Sequence, residues 1–206
     1  MPAGDIFKSI IGRKLGLDAA GRLLSDPVGR GTQPVQSTVY NSTGASTALS
    51  NFTSERAFDT YATIPANSLQ VGSLIRIRYQ GIQTAVNGTD TIQPILRIGA
   101  TLGTNLAVTG GTALLTGTAT AGGVSKIFHG EYELAIRTIG SSGTMVGVGW
   151  HKAVPAAEAT ITVVDDILAS TTIDTTADQI VCVGLVYDAA SSSNSVRLDF
   201  LRVLVG

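Results

Sequence analysis

From residue 35 onward the chain alternates hydrophobic and polar positions in short segments, broken by clusters of Gly, Ser, Thr, Asn and Asp. Period two of this kind marks strands with one buried face, and the clusters mark turns. The clearest run is Ser73-Leu-Ile-Arg-Ile-Arg-Tyr79, where Ile75, Ile77 and Tyr79 share one face and Leu74, Arg76 and Arg78 the other. The same alternation predicts strands over 35–41, 60–64, 92–98, 132–139, 144–150, 159–164, 180–187 and 195–205. In the last of these Val196, Leu198 and Phe200 hold one parity, while Leu201, Val203 and Val205 continue on the other. One inserted residue flips the facing of everything after it, so a bulge or a change of sheet is expected near Phe200 and Leu201. This many short strands predict an all-β protein, a jelly-roll-like Greek-key sandwich, with no helix needed after Pro34.

Residues 1–34 follow a different rule. Ile6, Phe7, Ile10, Ile11 and Leu15 recur at three- and four-residue steps, which puts them on one helical face behind a capping Asp5. A second short piece over 18–24 precedes Pro27, Gly29 and Gly31, and Gly12 and Gly16 weaken the first. Helices this short need a groove to lie in, either on their own domain or on a partner subunit. The chain thus divides into a short, partly helical N-terminal arm, 1–34, and a β domain, 35–206.

Composition sharpens that division. A chain of 206 residues is long enough to bury a core without disulfides. A hydrophobic fraction of 44% with only 14% charged residues is apolar for a monomer, so part of the surface is expected to be covered by other subunits. A net charge of −1 argues against a general nucleic-acid binder. The arm is locally basic, with Lys8, Arg13, Lys14, Arg22 and Arg30 against Asp5, Asp18 and Asp26, which favours an acidic docking surface. The candidate partner-binding residues of the arm are therefore Ile6, Phe7, Lys8, Ile10, Ile11, Arg13, Lys14, Leu15, Arg22, Leu23 and Leu24. The stretch 99–123 is rich in Thr, Gly and Ala and has no charge, so a subunit contact through Leu102, Leu106, Val108, Leu114 and Leu115 is expected there. No apolar run could span a bilayer and no secretory signal is evident, which points to synthesis in a reducing cytoplasm without a membrane partner. The single Cys182 reads as a small buried strand residue.

Several phrases together resemble a β domain of tailed-bacteriophage virion proteins: Thr38-Val-Tyr-Asn-Ser-Thr43, Ile64-Pro-Ala-Asn-Ser-Leu-Gln-Val-Gly72, Glu133-Leu-Ala-Ile-Arg-Thr-Ile-Gly140 and Tyr187-Asp-Ala-Ala-Ser-Ser-Ser-Asn-Ser-Val196. The resemblance covers most of 35–206 and lies in the grammar of strand and turn more than in a site motif. It implies a capsid cement or decoration protein, or the head of a tail fibre or spike. Physically, Pro65 ends a strand, Asn67 and Ser68 suit a turn, Leu69 and Val71 resume burial, and Gly72 permits a further bend. Neither a heptad run nor an internal repeat is present to build a fibre shaft, which favours the cement role.

Candidate chemistry is sparse. His129, Glu131 and Glu133 could share a strand face and resemble a metal cluster, but solvent-facing strand charges are the better explanation. Asp165 and Asp166 are adjacent and read as turn residues; with Asp174 or Asp178 they could offer oxygens to calcium. Trp150 beside His151 could form a sugar platform, or simply pack. No nucleophile motif or phosphate loop is present. The expectation is a protein without enzymatic activity, cofactor or metal, located at the capsid surface of a virion. Its arm would bind the major capsid protein, and its β domain would form a homo-oligomer, a trimer in preference to a dimer. The alternative is a receptor-binding head that recognises host glycans.

Overall fold

The computed structural model describes residues 15–17, 23–25, 37–85, 90–117, 119–121, 126–154 and 162–206. The chain forms two compact units, 1–35 and 36–206, close to the division expected at Pro34.

In the first unit β1 (Leu15–Leu17) pairs antiparallel with β2 (Leu23–Ser25), with Gly16 opposite Leu24. The helical reading therefore fails at Leu15 of the first arm piece and at Leu23 and Leu24 of the second, all of which are extended. Glycines at 16 and 21 depress helix propensity in a segment too short to nucleate, whereas a hairpin satisfies the backbone by pairing. Ile6, Phe7, Lys8, Ile10, Ile11, Arg13, Lys14 and Arg22 lie outside the described residues.

The second unit is an all-β, jelly-roll-like sandwich. Its strands are β3 (Ser37–Asn41), β4 (Arg56–Ile64), β5 (Leu74–Ala85), β6 (Thr91–Ile98), β7 (Thr101–Leu102), β8 (Val108–Thr109), β9 (Thr112–Thr116), β10 (Thr120–Ala121), β11 (Lys126–Thr138), β12 (Gly143–Val154), β13 (Thr162–Ile173), β14 (Gln179–Tyr187) and β15 (Ser195–Val205). The larger sheet runs β13-β12-β11-β5-β15-β3; in the smaller one, β10-β6-β14-β4, the strand β9 shares the β6 edge with β10. All pairings are antiparallel.

The alternation expected of residues 73–79 is realised: Ile75, Ile77 and Tyr79 are buried, and Arg76 and Arg78 face solvent. Across the sandwich they meet Phe58, Ala62 and Ile64 of β4, Leu96 and Ile98 of β6, and Val181, Val183 and Leu185 of β14 in one continuous core. The bulge in the last strand is present. The register of β15 against β5 shifts between Leu198 and Phe200, so Val196 and Leu198 before it and Leu201 and Val203 after it all point inward. The turn over 65–68 forms with Asn67 at φ 60° and the Ser68 amide donating to the Pro65 carbonyl (3.2 Å). Gly72 takes φ +89°, a conformation that L side chains rarely adopt. Leu69 is buried there, but Val71 is 64% exposed, against expectation, because it lies in the bend before β5 and no strand carries it inward.

The larger sheet packs tightly through glycines set opposite aromatic rings. Gly81 faces Phe128, Gly130 faces Tyr79, and Gly149 faces Tyr132 across adjacent strands. A Cβ at any of the three would run into the opposing ring. The missing side chain is the space the ring occupies, so a glycine that weakens a strand locally gains packing from its neighbour.

The described part of the uncharged stretch, 99–117, folds onto its own domain. β7 and β8 form a hairpin around a single 3-10 turn (Thr104–Leu106), and Leu102, Leu106 and Val108 pack against Ala57, Ala100 and Cys182 on the outer side of the smaller sheet. Leu114 and Leu115 are 0% and 1% exposed, since β9 pairs with β6 and delivers both to the interior. They belong to the domain's own core and offer no subunit contact; Leu102, Leu106 and Val108 are half-buried. Cys182 is buried as expected, and desolvation pushes its thiol up to about 12.

Candidate functional site

The two outer faces of the sandwich differ. On the smaller sheet the β7–β8 hairpin covers Cys182, and Glu55 grips Arg97 with both carboxylate oxygens: Nε lies 2.8 and 3.0 Å from Oε1 and Oε2, and Nη2 2.7 Å from Oε2. That hydrogen bonding raises the Arg97 pKa further and keeps it charged. On the larger sheet, no described segment covers the solvent side of β11, β12 and β13, and the residues presented there form the candidate site.

Register sets their order. Glu133 opposes Arg76 and Val148, Glu131 opposes Arg78 and Trp150, and His129 opposes Gln80 and Lys152. On the far side of β12, Ile167 opposes Val148, Asp165 opposes Trp150, and Val163 opposes Lys152. The acids of the His129, Glu131 and Glu133 series are paired with arginines, Glu133 with Arg76 at 2.6 Å and Glu131 with Arg78 at 3.5 Å. His129 sets its ring edge against Trp150, with centroids 5.2 Å apart, and partial burial together with Lys152 and Arg78 lowers its pKa. Such pairs are cross-strand ladder contacts, each contributing a few tenths of a kcal/mol to about 1 kcal/mol. Among the described residues no group of three or more His, Cys, Asp or Glu side chains is placed to hold a metal ion.

Next to this charged ladder lies an apolar strip. Val148 is 57% exposed, Val163 52% and Ile167 80%, with Trp150 half-buried between them. Large aliphatic side chains grouped on a flat sheet face mark a contact surface more often than a free one. Sequence reasoning missed these positions. The available signal was the doubled apolar pairs Val163-Val164 and Ile167-Leu168, which make both faces of one strand apolar where alternation would leave one polar.

The remaining candidates divide by structural role. Asp165 and Asp166 lie within β13, not in a turn, because the apolar residues around them extend the strand well past the predicted 159–164. Asp174 does shape a turn, accepting from the Thr176 amide (2.9 Å) and hydroxyl (2.6 Å), and the hydroxyl contact is the main reason its pKa is lowered. Asp178 accepts from the Ala66 amide at 2.8 Å and ties the β13–β14 connection to the turn after β4. His151 points inward, away from Trp150, and is 2% exposed.

No family model matches the chain, and no curated protein matches it in sequence. Solved structures do match. Lectin I-B4 from Griffonia simplicifolia in its metal-free form shares 10% identity, with 84% of this chain and 99% of that chain covered and a TM-score of 0.34. The CBM2 module of the evolved Dit of Lactobacillus casei BL23 phage J-1 shares 10% identity over 82% of this chain and 95% of that one, at a TM-score of 0.33. A chain in the structure of infectious bursal disease virus Gx strain shares 14% identity over 93% of this chain and 44% of that chain, at a TM-score of 0.30. Lectin, phage and viral proteins thus stand among the structural neighbours, and at these TM-scores none carries its function across. Among the described residues no helix is long and apolar enough to cross a membrane.

Proposed function

We propose that the chain is a non-enzymatic structural protein of a bacteriophage virion, acting as a capsid cement or decoration subunit. In this reading residues 1–34 bind the major capsid protein, and the β domain associates with copies of itself, as a trimer or a dimer, on the capsid surface. The observation that supports it is the exposed strip of Val148, Val163 and Ile167 on the open face of the larger sheet. The likeness of the strand and turn phrases to virion β domains points the same way. Glu133 and Glu131 on that face are engaged in ion pairs with Arg76 and Arg78, which suits adhesion better than turnover.

The test uses undecorated capsids and the purified chain. Full-length protein should bind them, and a chain lacking residues 1–34 should stay folded and lose binding. Undiminished binding of the truncated chain refutes the clasp. Separately, Val148→Asp with Ile167→Asp should reduce the oligomer measured by light scattering to a monomer. An unchanged oligomer removes the strip from the interface.

Trp150 favours a second reading, a glycan-binding head, since its half-exposed ring lies flanked by Glu131, Asp165 and His129 on an accessible face. A glycan array separates the two: saturable binding abolished by Trp150→Ala supports the receptor role, and a blank array supports cement.

A further inference from the structure

One row of side chains crosses the open face of the larger sheet from β15 to β13. Register places Arg202 of β15 opposite Arg78 of β5, Arg78 opposite Glu131 of β11, Glu131 opposite Trp150 of β12, and Trp150 opposite Asp165 of β13. Arg78 and Glu131 pair with each other inside the row, at 3.5 Å. At its ends Arg202 and Asp165 are exposed and of opposite sign, and neither forms an ion pair among the described residues. Successive strand spacings of about 4.8 Å hold them roughly 19 Å apart, so they cannot meet within one chain.

The rows on either side repeat the arrangement with apolar residues. In one, Leu204 stands at the β15 end and Ile167 at the β13 end; in the other, Phe200 and Val163 take those places. Ile167 and Val163 are exposed, and Leu204 and Phe200 are half-buried. The face is therefore matched about β11, its middle strand between β15 and β13. Cation lies across from anion, and apolar side chain from apolar side chain.

A half-turn about an axis laid along β11 carries β15 onto β13 and β5 onto β12 while keeping every row at its own height. We propose that a second copy of this chain docks on this face about that two-fold axis, so that Arg202 of each copy meets Asp165 of the other, Leu204 meets Ile167, and Phe200 meets Val163. The inference rests on the reading of the open face as a self-association surface, and it adds the symmetry, the register and the ion pairs. Arg78 comes over the Trp150 ring of the other copy, a favourable cation–π arrangement. Glu131 and Glu133 stand on the axis, each already engaged by an arginine of its own copy. Sheets stacked with their strands aligned within about 30° are an ordinary packing of twisted sheets. The strands β5, β11, β12, β13 and β15 are 12, 13, 12, 12 and 11 residues long. At about 3.3 Å per residue and about 4.8 Å per strand they offer on the order of 900 Å² per copy, which is what a stable dimer needs. A three-fold ring joins two different patches and leaves this match unused.

The experiment is sedimentation velocity on the full chain, which should be a dimer. Arg202→Glu sets a carboxylate against Asp165 of the other copy, and Asp165→Arg sets a guanidinium against Arg202, so each variant alone should dimerise about tenfold more weakly or worse. The two variants mixed in equal amounts should recover the wild-type affinity, because every end contact of the mixed dimer again joins opposite charges. Both positions are exposed, so the melting curves should match the wild type, and a folding defect in either variant would not be repaired by mixing. A monomeric wild-type chain overturns this proposal together with the self-association reading. A wild-type trimer, an oligomer that neither variant weakens, or one that stays weakened in the mixture overturns the two-fold alone and leaves self-association standing.

Discussion

Tyr79 Oη and His151 Nδ1 lie 3.0 Å apart inside the sandwich, one on β5 and the other on β12, spanning the intervening strand β11. Both side chains are at least 98% buried by exposure, and the second imidazole nitrogen, Nε2, has no hydrogen-bond partner among the described residues. The rings lie nearly parallel, with Phe128 of β11 tilted against the imidazole. The imidazole lies beside Gly117, which carries no charge to compensate an imidazolium.

Acid sensitivity follows from that burial. Desolvation, with a smaller contribution from His129, lowers the His151 pKa from 6.5 to about 4. Between those values the unfolded chain binds a proton that the folded chain refuses, so the stability is complete above about pH 6.5 and falls as the pH drops towards about 4. The loss attributable to His151 is at most about 3 kcal/mol. Urea unfolding at about pH 7.5 and about pH 4.5 measures it. Tyr79→Phe with His151→Phe removes both polar groups together and should flatten this part of the pH dependence; an unchanged slope would place its origin elsewhere.

Glycines opposite aromatic rings should be intolerant of the smallest side chain. Gly149→Ala drives a methyl into the Tyr132 ring and Gly130→Ala into Tyr79, and each should destabilise by about 1–3 kcal/mol. Gly44→Ala, where a Cβ meets nothing within 4 Å, should change stability by less than about 0.5 kcal/mol. Thermal melts of the three variants decide the matter, and equal melting temperatures would show that the rings move aside freely.

Two of the ion pairs should differ in strength. Arg97 and Glu55 have side chains 22% and 12% exposed, whereas those of Arg76 and Glu133 are 45% and 43% exposed. Glu55→Ala strands a guanidinium against the β7–β8 hairpin and should cost about 2 kcal/mol, while Glu133→Ala should cost about 0–1 kcal/mol. Double-mutant cycles for both pairs test the ranking, and equal coupling energies would contradict it.

The strand set was readable because period-two burial is written directly into residue order: the runs around Ile75, Ile77 and Tyr79 and around Val181 to Tyr187 lie where alternation puts them. The parity break expected near Phe200 and Leu201 was visible as well, since a bulge leaves its mark in the hydrophobic pattern itself; the register shift lies just before it, between Leu198 and Phe200. Leu23 and Leu24 misled because a short glycine-containing piece carries both periods, and pairing with Leu17 and Gly16 decided between them. Leu114 and Leu115 misled because an uncharged segment is equally compatible with a subunit contact and with an edge strand feeding its own core.

Sequence alone determined the all-β class, the inward faces of the long strands and the buried state of Cys182, all properties of near neighbours along the chain. Tertiary structure alone decided that Gly130 makes room for Tyr79, that His151 turns inward while Trp150 stays out, and that Gln179, Asp174 and Asp178 line one cleft with the distant Gly99 and Thr112. Those relationships join residues far apart in the chain, and strand order and register, which bring them together, leave no periodic trace in composition or spacing.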